Sequence, residues 1–192
     1  MISLYLEGEE LNVVGANLLA IGAFISAVGE TGAHPVEEIS KKLIRDGNAV
    51  QAVGNTLQGV GRLKLMDEPE EEKNVLGMVG TFVQASGNTI NSLATNVEIE
   101  SPSEENTRFN SLGSTIQSMG AALEATGVAQ VGEGTSPNLE LAGLSLITLG
   151  TILDSIGVLT PEKKEKQKRI LLFTGGWVEF AGAVLIAYAI NK

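Results

Sequence analysis

The feature that most constrains this chain is a glycine at every seventh residue, within stretches that otherwise have the composition of helices. A glycine inside a helix costs roughly 1 kcal/mol relative to alanine. Sixteen of them would therefore cost on the order of 10 kcal/mol, which matches the net stability of a whole domain. Close contact with a neighbouring helix offsets this cost, because a bare backbone admits dispersion contacts that a side chain would block. We predict that the following are helix-packing residues: Gly15, Gly22, Gly29, Gly47, Gly54, Gly61, Gly80, Gly87, Gly113, Gly120, Gly127, Gly143, Gly150, Gly157, Gly175 and Gly182.

The other positions of this heptad also keep a consistent character when glycine is numbered as position a. Position d is aliphatic, position g is mostly apolar, and positions b and f are mostly small. Position e often carries an amide or an acid, as in Gln51, Gln117 and Glu124. We interpret d and g as one covered side of each helix, the glycines and small residues as a second covered side, and e as a solvent-facing position. A strict seven-residue repeat also predicts a left-handed supercoil of the packed helices.

The prolines divide the chain into six helices. All five lie between the glycine runs, and acidic residues follow each of them within a few positions, which is typical of helix starts. The prolines are Pro35, Pro69, Pro102, Pro137 and Pro161. We predict helices near 8–31, 36–65, 70–97, 103–128, 138–158 and 161–191. The short connections favour antiparallel neighbours, so the sequence predicts an all-α bundle of six long helices that forms a single domain over residues 1–192.

Charge and composition exclude several functions and locations. The net charge of −10 means that the overall electric field of the protein favours binding neither to nucleic acid nor to an anionic membrane surface. The absence of cysteine excludes disulfides and thiolate metal sites. The residues before the first apolar run are acidic, at Glu7, Glu9 and Glu10, whereas a secretory signal begins with basic residues. We therefore expect a cytoplasmic protein without a signal peptide, with membrane association as the alternative.

No motif for catalysis or cofactor binding is present. The single histidine, His34, stands beside Pro35 without the partners of a metal site or a catalytic triad. The glycines from Gly54 to Gly61 lack the Gly-Lys-Ser/Thr ending of a phosphate loop. The acidic stretch from Asp67 to Glu72 lacks the ligand spacing of a calcium loop. We predict a protein that is not an enzyme and has no catalytic residue, no cofactor and no metal.

Three acids interrupt apolar or small-residue faces near the middle of their helices: Glu124, Asp154 and Glu179. If these carboxyl groups are buried, they pair with each other or line a polar channel. We favour the other interpretation, in which they face solvent as position-e residues, because glutamines occupy the same position in other repeats.

The sequence is compatible with two functions. The first is a soluble structural or interaction bundle that associates with itself or with another helical protein. The second is a membrane-active or pore-forming protein, since the apolar runs at 11–28, 139–159 and 170–190 approach membrane-spanning length. In that case the helices rich in Asn, Gln and Thr line a polar lumen or stay outside the membrane. The last run has a further interpretation as the central helix of a soluble bundle, and the shallow glycine side is also suited to an apolar ligand.

The repeat unit Gly22-Ala-Phe-Ile-Ser-Ala-Val-Gly29-Glu-Thr resembles that of repetitive proteins of unknown function from Bacillus and related bacteria, which carry repeats of the type Ile-Gly-x-x-Ile-x-Ala-x-Gly-Glu. The resemblance covers the whole chain and lies in the repeat pattern. It implies a bacterial source, and it implies no activity, ligand or site residue.

Overall fold

The computed structural model describes residues 7–32, 37–66, 74–131 and 136–192. These ranges contain six α-helices and one turn of 3₁₀ helix, Glu162–Lys164, which directly precedes the last α-helix. The α-helices are α1 Gly8–Glu30, α2 Glu37–Leu65, α3 Val75–Glu100, α4 Glu104–Val131, α5 Pro137–Leu159 and α6 Glu165–Ile190. The predicted all-α bundle of six long helices is confirmed.

The helix starts follow from local chemistry. Glu7 caps α1 with a capping box, in which its backbone N–H donates to the Glu10 carboxylate at 3.0 Å. The described start of α3 is Val75 rather than the predicted residue 70, because the Asn74 side chain accepts a hydrogen bond from the Gly77 N–H at 2.7 Å and caps the helix there. Pro137 opens α5 as predicted. His34, Pro35, Pro69 and the acidic stretch 67–72 lie outside the described residues.

The six helices form a closed ring. Within the described ranges each helix contacts only the helices before and after it, and α1 contacts α6 to close the circle. Neighbours are antiparallel: Arg45 in the first half of α2 bonds Asn96 near the end of α3, and Asn17 in the first half of α1 bonds Asn191 at the end of α6. The interpretation of the last helix as a central, surrounded helix is therefore wrong, because α6 is one of six equivalent positions.

Glycines hold the two helices of each hairpin together. A Cβ atom added to Gly15 would lie 2.6 Å from the Gly54 carbonyl oxygen, and one added to Gly54 would lie 2.7 Å from the Gly15 oxygen. The pairs Gly80 with Gly120 and Gly143 with Gly182 meet in the same way in the other two hairpins. Each of the sixteen predicted packing glycines lies this close to a neighbouring helix or its cap. The helices approach this closely because the glycines have no side chain; any side chain at these positions would have to displace the neighbouring helix.

The outward and inward faces are opposite to those expected from the sequence. Position g, expected to be covered, faces out: Leu93 is 62% exposed and Met119 is 59% exposed. Position e, expected to face solvent, is buried: Glu124 is 2% and Glu179 is 5% exposed. In all six helices positions b and e point into the ring, whereas c and g point away from it. The expectation was wrong because it assumed that the apolar side of a helix is the buried one.

Candidate functional site in the interior of the ring

The interior of the ring is mostly polar on one side and mostly apolar on the other, where Glu140, Asp154 and Glu179 are the acidic exceptions. On the polar side, α2, α3 and α4 contribute amides, hydroxyls and charges, which include Gln51, Asn55, Gln58, Arg62, Gln84, Asn88, Gln117 and Glu124. On the apolar side, α1, α5 and α6 contribute Ala16, Leu19, Leu144, Ile147, Ala183 and Ile186. The amides of α2, α3 and α4 therefore lie inside a single chain.

A charged cluster crosses the ring where α2 ends. The Arg62 guanidinium is 1% exposed and binds the Glu124 carboxylate at 2.6 Å and the Glu140 carboxylate at 2.7 Å. Its Nη1 atom also donates to the Gly77 carbonyl at 3.3 Å, and the Gln84 amide donates to the second oxygen of Glu124. The cluster thus joins α2, α3, α4 and α5, which are not all neighbours. A buried ion pair of this kind is costly to desolvate, and the hydrogen bonds from Gln84 and to Gly77 offset part of that cost.

A second cluster lies about half-way along the ring. The Glu179 carboxylate of α6 accepts a hydrogen bond from the Gln117 amide of α4, on the opposite side of the interior. Gln51 of α2 is a further hydrogen-bond partner of this carboxylate. Asp154 of α5 lies close enough to act electrostatically on Glu179. The structure therefore brings Glu179 and Asp154 together, whereas Glu124 belongs to the Arg62 cluster.

A funnel connects the second cluster to one end of the ring. We call this the charged end; it is the end at which α1, α3 and α5 finish and α2, α4 and α6 begin. A cavity of about 360 Å³ opens there and is lined by all six helices. A void of about 30 Å³, which is large enough for a single water molecule, lies beneath it between Asn91, Gln117, Asp154 and Glu179. The two spaces share these lining residues: Glu30, Ile44, Asn110, Val158 and Leu172.

Several interior amides lack a partner. Asn55, Gln58 and Asn88 are at most 1% exposed, and neither polar atom of these three side chains is hydrogen-bonded within the described part of the chain. An unsatisfied buried amide costs roughly 1–3 kcal/mol. All three positions face inward on α2 and α3. The interior therefore holds more polar groups than its own described side chains pair.

The outer surface carries no charge along the middle of every helix and is mostly apolar there. The exposed residues here include Val14, Ile21, Phe24, Val53, Val79, Leu93, Leu112, Met119, Leu149, Ile152, Ile156, Phe173, Val184 and Tyr188. The shortest uncharged outer stretch, Gly47 to Leu63 in α2, spans about 25 Å at 1.5 Å per residue, against about 30 Å for the core of a bilayer. Three helices are long and apolar enough to cross a membrane on composition alone: Gly8–Glu30, Pro137–Leu159 and Glu162–Ile190. We call this uncharged zone the outer belt.

Several hydroxyl groups of the outer belt are hydrogen-bonded within their own helices. Thr56 donates to the carbonyl of Ala52 at 2.8 Å, and Thr126 donates to that of Ala122 at the same distance. Exposed Ser86, Thr89 and Ser145 do the same with the carbonyl four residues earlier. Such bonds leave no hydroxyl proton unpaired in an apolar medium.

Basic residues concentrate at the charged end. Of the 13 lysines and arginines in the sequence, nine lie there: Lys41, Lys42, Arg45, Arg108, Lys163, Lys164, Lys166, Lys168 and Arg169. Lys64 and Lys192 lie at the opposite end, and Arg62 is inside. The two ends therefore differ strongly in positive charge.

Sequence reasoning named Glu124, Asp154 and Glu179 but preferred a solvent-facing role, which their burial contradicts for Glu124 and Glu179. It missed Arg62. The available signal was the spacing of Gln51, Asn55, Gln58 and Arg62, which places four polar groups on one helix face beside an uncharged opposite face. Among the described residues, no group of three or more His, Asp or Glu side chains is placed to hold a metal ion.

Comparison with known proteins gives a family without an activity. Residues 10–187 match the family described as "Family of unknown function (DUF6944)". No curated protein matches, and no solved structure matches. A source in Bacillus and related bacteria stays a prediction.

Proposed function

We propose that this chain, which belongs to that family of unknown function, is an integral membrane protein whose six helices cross the bilayer as a ring and enclose a pathway for small monovalent cations, closed in the present conformation. The observation that carries the proposal is the inverted polarity of the fold, in which amides and charges are buried and apolar side chains face outward.

The outer belt supports the membrane location. In water, the exposed apolar side chains of six neighbouring helices would form a patch far larger than monomeric soluble proteins tolerate. In a bilayer the same apolar surface contacts the acyl chains of the lipids. Helices can span the bilayer because their backbone hydrogen bonds are made within the helix. Closely packed glycine pairs such as Gly15 with Gly54 are also typical of helix contacts in lipid, where small residues let backbones approach.

The interior supports a cationic solute. Ionisable residues within membrane-spanning segments commonly mark solute pathways. Here the interior and its mouth hold the carboxyl groups of Glu30, Asp154 and Glu179 along the funnel. Acidic groups inside a low-dielectric wall favour cations. The funnel opens at the charged end, and the Arg62 cluster fills the ring toward the other end. We infer that this cluster is the closed gate.

Fractionation tests the membrane location first. We expect the expressed protein in the membrane fraction, extractable by detergent and resistant to carbonate at high pH. Recovery as a defined oligomer in the soluble fraction without detergent would reject the proposal and favour the alternative, in which further copies of the chain cover the outer belt.

Potassium efflux from proteoliposomes tests the pathway. Arg62→Ala removes the side chain that bridges the ring, so we expect efflux at least about tenfold above the wild type. Glu179→Gln in the same background removes one funnel carboxyl group and should lower that efflux severalfold. Lys64→Ala is the matched control, because it removes a basic residue of the same helix that does not bridge the interior. Size-exclusion profiles like that of the wild type establish folding of each variant. Efflux by folded Arg62→Ala no greater than that of empty vesicles would refute the gate.

Orientation gives an independent test. The end of a membrane protein that is richer in Lys and Arg faces the cytoplasm, so we expect the charged end on that side. The chain has no cysteine, so single cysteines introduced as Lys42→Cys and Asn191→Cys can be labelled selectively. An impermeant maleimide applied to intact cells should label the Asn191→Cys protein only. Equal labelling of both variants on intact cells would contradict the proposed orientation.

A further inference from the structure

A groove on the outer surface runs between the end of α1 and the beginning of α6, at the charged end. Its volume is about 470 Å³, and Glu30 and Thr31 form one wall. Lys166 and Arg169 stand at its mouth, and Ile170 and Phe173 form its floor. The groove thus passes from a charged mouth to an apolar floor within two helical turns.

The mouth of the groove carries cations without partners. Lys166 and Arg169 are exposed, and neither makes an ion pair within 4 Å in the portion of the chain that the structure covers. The segment from Glu162 to Arg169 has five basic and two acidic residues, in a chain with a net charge of −10. An anion therefore gains from the local charge of this segment.

The floor of the groove continues into an aromatic cluster. The rings of Phe173 and Trp177 lie 6.3 Å apart between centroids, and Trp177 lies 5.7 Å from Phe180. Phe24 of α1 packs against Trp177 and Phe180, so the cluster covers the junction between the first and last helices. An aromatic, apolar surface directly below basic side chains matches the order of groups in a phospholipid, whose acyl chains lie below the phosphate.

We propose that this groove binds an anionic phospholipid, with the phosphate between Lys166 and Arg169 and the acyl chains along Ile170, Phe173 and Trp177. The inference rests on the proposed membrane location. Glu30 and Glu165 also line the groove, so it suits the single phosphodiester charge of a lipid such as phosphatidylglycerol rather than a headgroup with several phosphates.

Trp177 is the only tryptophan in the chain and therefore reports on its own surroundings. The protein is reconstituted in vesicles of phosphatidylcholine with 20% phosphatidylglycerol. Bromine atoms, which quench tryptophan fluorescence on contact, are placed on the acyl chains of one lipid class at a time. Each Lys or Arg near anionic lipid contributes roughly a fivefold preference for that lipid over a neutral one. Glu30 and Glu165 reduce the combined effect of Lys166 and Arg169. We expect quenching of Trp177 to show about a fivefold preference for phosphatidylglycerol.

The variant Lys166→Gln/Arg169→Gln should reduce this preference to about one. Lys163→Gln/Lys164→Gln removes the same charge from the same segment outside the groove, and it should keep the preference within twofold of the wild type. Equal losses in both variants would show general attraction to the surface and overturn the site. Equal quenching by both lipids in the wild type would also overturn the site while leaving the membrane location intact. Absence of quenching by either lipid would instead reject the membrane location.

Discussion

The close contact of glycine backbones can be tested by adding one methyl group. In the variant Gly54→Ala, the new Cβ would lie 2.7 Å from the Gly15 oxygen, 2.7 Å from the Leu19 nitrogen and 3.2 Å from the Leu19 Cα. All three atoms belong to backbone and cannot rotate away. Since ordinary contacts begin near 3.4 Å, α1 and α2 would have to separate by about 0.7 Å at this point.

The sign of the effect follows from two opposing contributions. Alanine is the better helix former by roughly 1 kcal/mol. Overpacking costs roughly 1–3 kcal/mol, and the separation also weakens Cα–H···O contacts worth about 0.5–1 kcal/mol each. We therefore expect a net loss of about 1–2 kcal/mol, which lowers Tm by about 3–6 °C for a chain of this length. Gly54→Leu or Gly120→Leu should abolish cooperative melting.

Gly176 provides the matched control within the same fold. A Cβ there would meet Ala27 Cα at 3.3 Å and Glu30 Cγ at 3.4 Å, so it needs almost no movement. Gly176→Ala should leave Tm unchanged or raise it by up to about 3 °C. Melting of both variants is followed by circular dichroism in the same detergent. If Gly54→Ala melts at or above the wild type, close backbone contact is not what holds these hairpins together.

Three further predictions address the belt, the charged cluster and the unpaired amides. Leu149→Lys places a charge in the outer belt and should cost about 2.5–3.5 kcal/mol if that surface lies in lipid, which would reduce the yield in the membrane fraction; unchanged yield would argue against a lipid-facing Leu149. Arg62→Gln leaves the buried carboxylates of Glu124 and Glu140 without their cation and should lower the free energy of unfolding by about 3–5 kcal/mol. The triple variant, which adds Glu124→Gln and Glu140→Gln, should recover most of the lost Tm. No recovery would mean that the three charges are not coupled. Gln58→Met replaces an unpaired amide by an apolar side chain of similar volume and should raise the denaturation midpoint. In the Arg62→Ala background the same change should lower potassium efflux. A lower midpoint would show that the Gln58 amide is hydrogen-bonded in the folded protein.

The number, type and approximate limits of the helices could be predicted because they depend on local chemistry. Glycine spacing identifies each helix, and residues such as Pro102 and Pro137 interrupt the pattern at the boundaries. The start of α3 was less accurate because Asn74, which caps it, carries no proline and no following acid as a signal. Capping by a single amide depends on backbone geometry that the sequence alone does not display.

The direction in which each helix faces was not predictable from the same pattern. The heptad shows that Met119 and Gln117 lie on different sides of α4, but it does not show which side is enclosed. In water the apolar side is enclosed, whereas in lipid polarity gives no such preference and packing decides. The glycines resolve the question, because position a must face the partner helix, and positions b and e are the ones that share its inward side.

Closure of the ring explains why polar residues and glycines occur together in this chain. Six helices whose glycine backbones touch within each hairpin have little room for side chains at their contacts, so long side chains such as those of Gln51 and Arg62 extend into the centre. The centre receives two side chains per heptad from each helix, among them alanines on α1 and α6 and glutamines on α2 and α3. Replacing those glutamines by leucines would fill the same space at lower desolvation cost. Their presence favours a reason beyond folding, and the proposed passage of a polar solute through the ring supplies one.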